Sequence, residues 1–352
     1  MKEQLHRSAK RETYFDCLRI MATFAVMILH IASQYWYAVD TGTYEWKVFS
    51  FYDAMVRWAV PVFVMISGAL FLSRDVGLER IFKKNIIRLV TAFIFWSALY
   101  AIINLITGRS GPKNALREFV EGPTHLWFLF MIVGLYILVP LLKKIVANDE
   151  LAKYFVLLSL VFTFVLPYII TIISLYSGKI ASIAGGILKS VNFNFTLGYV
   201  AYFVFGYYFS HINIKKKWII YLLGIVGLFV TIFAQVFLPI SDKAASSVFH
   251  ENMTVNVMLI SVSIFVFARN NLSFPNASQK TAAMIKKLSE YSFGAYLVHA
   301  MVITQLNHIL GLNTLSFNPI ISVPVIGIVV FVISFAISGI LHCIPVLNKY
   351  IV

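Results

Sequence analysis

A chain made of long, uninterrupted apolar runs has little choice of solvent, and this one carries such runs from end to end. Crossing the hydrocarbon of a bilayer takes about 20 mostly apolar residues in a helix. Ten stretches meet that requirement: Phe15–Trp36, Phe49–Leu72, Leu89–Thr107, His125–Ile145, Ala152–Tyr176, Phe195–Ile212, Trp218–Ile240, Met253–Ala268, Tyr291–Leu310 and Ile320–Leu347. The runs lack the period-two alternation of barrel strands. The expectation is therefore an all-α, polytopic transmembrane bundle of about ten helices. Composition agrees: 60% of the residues are hydrophobic and 12% charged, where a soluble domain carries about 25% charged. No loop is long enough to be a separate soluble domain, so residues 1–352 read as a single membrane-embedded domain.

The formal net charge of +14 does not point to nucleic acid, because a binding footprint is a continuous basic stripe. Here the cations fall in short clusters between apolar runs, as in cytoplasmic loops of multi-pass proteins. Of 29 Lys and Arg, the ten-span reading puts twenty inside and seven outside, and the other two, Arg19 and Arg57, fall within spans. Both termini are then cytoplasmic, with the basic leader Met1–Arg11 inside and cations such as Lys47, Arg117 and Lys243 outside. The expected location is the cytoplasmic membrane. Cys17 and Cys343 both sit near a cytoplasmic boundary, which disfavours a disulfide, and no CxxC spacing suggests a metal. Asp16, Arg19 and His30 interrupt the first apolar run, so it reads as a retained span rather than a cleaved signal.

Ionisable groups inside spans are costly and mark function by default. Arg19 and His30 are eleven residues apart, about three helical turns, so they share a face with His30 about 16 Å farther from the cytoplasm. Asp16, Thr23, Ser33 and Gln34 fall near the same stripe, so that face looks into protein or water. Asp53 and Arg57 are spaced i, i+4 and can pair. Arg57 lies about 12 Å and His30 about 9 Å from the outer ends of their spans, at comparable depth. Two readings stand side by side. In one, these are a buried ion pair and a hydrogen-bonded core histidine. In the other, His30 is a general base and Arg57 steadies developing negative charge.

Other polar positions carry the same double reading. Trp127 beside His125 fits an interfacial belt anchor better than a substrate contact. His299, about 12 Å into the ninth span and near Tyr296, fits a packed histidine as well as a reactive one. Ser67-Gly68 fits close helix packing. The cluster Arg74, Arg80, Lys83, Lys84 and Arg88 fits a topology determinant first, and a cradle for a polyphosphate ligand second.

Four ordered segments also resemble a known family. Phe15-Asp16-Cys17-Leu18-Arg19 through Ile28-Leu29-His30, with ten residues between Arg and His, is similar to the opening motif of the acyltransferase 3 family. The stretch from Arg57-Trp58 to Ser67-Gly68 is similar to its second-helix signature. His125-Leu126-Trp127-Phe128-Leu129 with Tyr136 and Pro140 resembles its mid-chain motif, and Tyr291 to His299 its penultimate-helix motif. The nearest resemblance is to the short branch that O-acetylates enterobacterial common antigen. It implies acetyl-CoA or another acyl-CoA as co-substrate and no permanently bound cofactor. The acceptor it implies is a glycan or lipid-linked sugar hydroxyl. Carried over, His30 is the catalytic base, while Arg19 binds the donor or supports the site. Some relatives add an extracytoplasmic hydrolase-like domain. Here the sequence runs only to Val352, so transfer is expected to finish in the membrane domain or on another protein.

Two rivals use the same residues. A transporter or exporter of a glycan or lipid-linked precursor would take the polar face as its path, with His30 as gate or proton relay. An accessory membrane subunit would need Arg19, His30 and Arg57 only for stability. The acyl group, the acceptor and the oligomeric state are not encoded in any motif recognised above.

Overall fold

The structure, a computed structural model, describes residues 12–75, 77–174, 177–190, 194–238, 249–274 and 278–352. The leader Met1–Arg11, Lys243 and the expected span ends Tyr176 and Ile240 lie outside them. The described residues fold into helices and connecting turns, with no strand among them. In chain order the helices are α1 Thr13–Ser33, α2 Tyr44–Val56, α3 Ala59–Ser73, α4 Ile87–Ile106, α5 Pro112–Glu121, α6 Trp127–Val146, α7 Asp149–Ser159, α8 Leu166–Ser174, α9 Gly178–Ser190, α10 Asn194–His211, α11 Lys217–Phe237, α12 Val255–Asn271, α13 Gln279–Leu310, α14 Pro319–His342 and α15 Pro345–Tyr350. Seven helical stretches among the described residues are long and apolar enough to cross a membrane. The protein is a multi-pass membrane protein.

Departures from the expected spans have local causes. The second span breaks at Arg57-Trp58 into α2 and α3. Pro61 has no N–H for the Arg57 carbonyl and its ring crowds that group, so the helix is interrupted one turn before it. The last expected span stops at His342, because Pro345 disfavours helical geometry in the residue before it. α13 begins at Gln279, a dozen residues before the apolar run. The Ser278 hydroxyl accepts from the Thr281 N–H and caps this polar extension. α5 and α9 are helices where connecting loops were expected.

α1 is the hub, packed by α2, α3, α13 and α14. Its buried side chains Leu18, Met27 and Ile31 are fully enclosed. α3 and α10 cross in direct backbone contact. A Cβ at Gly68 would fall 1.8 Å from the Phe203 carbonyl oxygen, and one at Gly206 1.8 Å from that of Met65. Glycine at both positions is what permits the crossing.

Candidate functional site

Arg19 and His30 of α1 line a cavity of about 1160 Å³ walled by α1, α3, α4, α6 and α13. The cations Arg74, Arg80, Lys83, Lys84, Arg88 and Lys349 line its mouth. A π-helical turn, Ile81–Ile86, carries Lys83 and Lys84 over this mouth; such widened turns recur at functional sites. The mouth cations are held differently. Lys83 reaches Glu79 at 3.0 Å, both largely exposed. Arg88 donates to the Val352 carbonyl and lies over the Phe293 ring, 5.6 Å from its centroid, while its buried Nε has no hydrogen-bond partner.

Arg19 lines the cavity one level deeper. It sits 3.8 Å from Asp16, whose carboxylate also accepts from the Ser289 hydroxyl at 2.7 Å. Asp16 is buried and not on the cavity wall; it fixes Arg19 against α13. Ser67, donating to the Phe63 carbonyl at 3.0 Å, and Tyr136, stacked on Phe71 with 4.2 Å between ring centroids, continue the wall.

The deep end is formed by His30, His125, Trp127 and Tyr296. Three histidines from α1, the turn before α6 and α13 meet here. Ring centroids are 5.1 Å apart for His30–His299, 5.1 Å for His125–His299 and 6.2 Å for His30–His125. Gly122 makes the third member possible. It has φ +69°, and a Cβ there would strike the Phe93 ring at 2.7 Å; the chain turns at this point and delivers His125 inward.

Backbone carbonyls set two of the three imidazoles. A carbonyl carries no proton, so the ring nitrogen facing it must be the N–H. His125 Nε2–H therefore donates to the Leu297 carbonyl at 3.3 Å. His299 Nδ1–H donates to that of Tyr296 at 2.5 Å. His299 is fully buried, and its Nε2 has no hydrogen-bond partner. His30 is half-buried and open to the cavity. Tyr100 of α4 braces α13 beside this arrangement. The Tyr100 hydroxyl donates to the Leu297 carbonyl at 3.0 Å and accepts from the Met301 N–H at 2.9 Å. An α-helix would pair those two groups with each other. The Tyr296 hydroxyl donates to the His125 carbonyl, locking the two segments together.

Asp53 and Arg57 form the pair their spacing suggested, with Arg57 Nε 2.7 Å from Asp53 Oδ2 and a second nitrogen 2.5 Å from Oδ1. Neither lines the cavity. Asp53 also accepts from Gln235 Nε2 at 2.8 Å, and His250 Nδ1 lies 2.6 Å from that amide nitrogen and 3.2 Å from Asp53 Oδ2. Thus the structure brings His30, His125, Tyr296, Trp127, Arg19, Ser67 and the mouth cations to one cavity, places His299 directly behind it, and sets Asp53 and Arg57 in a separate cluster. Among the described residues, no group of His, Cys, Asp or Glu has a metal-binding arrangement.

Several participants escaped sequence reading. Tyr100 is one of three hydroxyls in an apolar helix, with Thr91 and Ser97, and Lys349 was counted only as a loop charge. Gln235 and His250 lie fifteen residues apart with no periodic signal linking them.

A family model described as an acyltransferase domain matches residues 12–339. Neither the curated proteins nor the solved structures contain a match to the chain.

Proposed function

The chain belongs to the acyltransferase family whose domain it matches over residues 12–339, and from that premise we propose that it transfers an acyl group from acyl-CoA to a hydroxyl of a glycan or lipid-linked sugar across the cytoplasmic membrane. The observation that carries the reading is the shape of one cavity: a cationic mouth and a histidine cluster at its far end. Only a ligand with a polyanionic head and a long, thin arm spans both. Coenzyme A thioesters have that form.

The donor's phosphates lie against Arg74, Arg80, Lys84, Arg88 and Lys349, where the unpartnered Arg88 Nε gains an acceptor. The mouth is cytoplasmic in this reading, as the loop charges suggest. The pantetheine arm passes Arg19, Ser67 and Tyr136, and the thioester carbonyl stops beside His30. The acceptor hydroxyl enters from the side of Trp127, a residue that is 41% exposed and lines the same cavity. His30 takes the hydroxyl proton as the oxygen attacks the thioester carbon. The C–S bond then breaks, and the departing thiolate takes that proton from His30. Acyl ester and free CoA thiol are the products, with no net proton change. An acyl group parked on His30 is the two-step version of the same chemistry. Arg57 closes its fork on Asp53, so we assign it to the frame of the site rather than to the oxyanion. An acetyl donor and an enterobacterial common antigen type of acceptor are the narrowest form of the proposal.

Thermal-shift and direct-binding measurements on detergent-purified protein test it, with acetyl-CoA, succinyl-CoA, free CoA and ATP as ligands. Selective stabilisation by one acyl-CoA is expected, with affinity reduced about tenfold or more in Arg19→Ala through loss of a charge-assisted contact. Folded protein that answers to no CoA species would overturn the donor assignment and return the cavity to a transport path.

A further inference from the structure

We infer that His299 is a positioning residue: its Nε2 accepts the N–H of His30 and so turns the other nitrogen of His30, with its lone pair, toward the cavity. The inference rests on the acyl-transfer role of His30 proposed above, and adds to it the group that sets the tautomer of the base.

The argument is an elimination among three rings. His125 and His299 each place their single N–H on a backbone carbonyl, of Leu297 and Tyr296 respectively. Neither has a second proton to give when neutral. His299 Nε2 is a fully buried acceptor without a partner, and a buried polar atom left unpaired is costly. Of the neighbouring rings, only that of His30 has an N–H that no backbone group has claimed.

Distance separates the two neighbours of His30. A ring N–H···N bond of about 3 Å brings two imidazole centroids to about 5 Å. His30 and His299 stand at 5.1 Å with planes inclined at 46°, whereas His30 and His125 stand at 6.2 Å. A rotation of the half-buried His30 ring completes the bond to His299 and not to His125. Catalytic contacts of this kind commonly tighten only when substrate is bound.

His299 itself has no freedom to follow. Its ring is clamped to the Tyr296 carbonyl, and the stretch of α13 around it is pinned by Tyr100 and Tyr296. His299 thus does for His30 what a carboxylate does in a nucleophile–histidine–carboxylate triad. It does so without placing another charge in the membrane interior, where charge is expensive. When His30 gains the acceptor's proton, the existing N–H stays on His299 Nε2 and the new one faces the cavity, where the leaving thiolate can collect it.

The test follows CoA thiol release from acetyl-CoA by the full-length purified protein, with a membrane-lipid extract as acceptor. His299→Phe keeps the ring volume and removes the acceptor, whereas His299→Gln keeps a side-chain oxygen. His299→Phe is expected to lower kcat about 100-fold while KM and Kd for acetyl-CoA stay within about twofold. His299→Gln should recover at least about a tenth of the wild-type kcat. In the His30→Ala background, His299→Phe should cost nothing further, because residues acting as one unit are not additive. Should His299→Phe retain kcat within about threefold, or His299→Gln fold as stably as wild type yet do no better than Phe, the ring is packing and the inference fails. Should wild type release no thiol from acetyl-CoA, the acetyl-transfer reading itself fails and takes this inference with it.

Discussion

Two buried polar clusters sit at comparable heights in the bundle, and they are built on opposite principles. One gathers Asp53, Arg57, Gln235 and His250 from α2, α11 and the segment before α12. The other gathers His30, His125 and His299. The first contains formal charges, and each is answered: the Arg57 fork closes on both oxygens of Asp53, and Gln235 and His250 add further contacts. It has no wall on the cavity. The second carries no fixed charge, opens onto the cavity through His30 and His125, and leaves one ring nitrogen unanswered. Charge inside a membrane protein invites a functional reading, yet here the charged cluster is the closed one. The charged cluster also leaves a buried atom unanswered, Gln235 Oε1, so what distinguishes the histidine cluster is its access to the cavity.

That contrast breaks if the clusters exchange phenotypes. The largest effect is expected at His30→Ala, with loss of acyl transfer of about 10²- to 10⁴-fold and a melting temperature close to wild type. Full transfer activity in that variant would remove the base from the mechanism. Next comes Asp53→Ala, which strands the Arg57 guanidinium beside Gln235. A buried pair broken on one side costs about 3–5 kcal/mol, so denaturation in detergent should reveal a large loss of stability, with acyl-CoA affinity per folded molecule little changed. A stable Asp53→Ala protein that has lost transfer would instead move Asp53 and Arg57 into the chemistry. The smallest effect is expected at Lys83→Ala. Lys83 is 75% exposed and already turned to Glu79, and a solvated pair of this kind is worth about 1 kcal/mol or less. Donor Kd should rise by no more than about threefold, and the difference should fade as salt is added. A tenfold rise would mean that the π-helical turn closes over the donor and buries that cation.

How far the sequence led depends on whether a property is local. Apolar runs located α1, α4, α6 and α11 because lipid imposes one rule on every residue of a span. The Arg19–His30 spacing put two residues of the cavity wall on one face for the same reason, since a straight helix converts residue number into depth. The i, i+4 rule found the Asp53–Arg57 pair. α5 and α9 were read as loops because their polar residues hide a helical period inside short, mixed segments. The histidine cluster was out of reach in another sense. His30, His125 and His299 each looked like a lone histidine with a bland alternative, and nothing in linear order shows that two helices and a turn carry them to one point. Arg57 carried two readings in the sequence, a buried pair with Asp53 and a stabiliser of developing charge, because depth does not report which way a guanidinium turns.

The crossing of α3 and α10 has a mechanical consequence. With Gly68 and Gly206 each pressed on the other helix's carbonyl, no layer of side chains lies between the two backbones to act as a cushion. Packed interiors are stiff, and here even the usual soft layer is missing, so the two helices travel as one beam. The cavity wall that carries Phe63, Ser67 and Phe71 belongs to that beam. The rest of the lining includes Lys83 and Lys84 of the widened turn at Ile81–Ile86 and Phe293 and Tyr296 of α13. Whatever swelling and shrinking the chamber undergoes as cargo comes and goes is therefore one-sided, taken up like the leaf of a door against a fixed jamb.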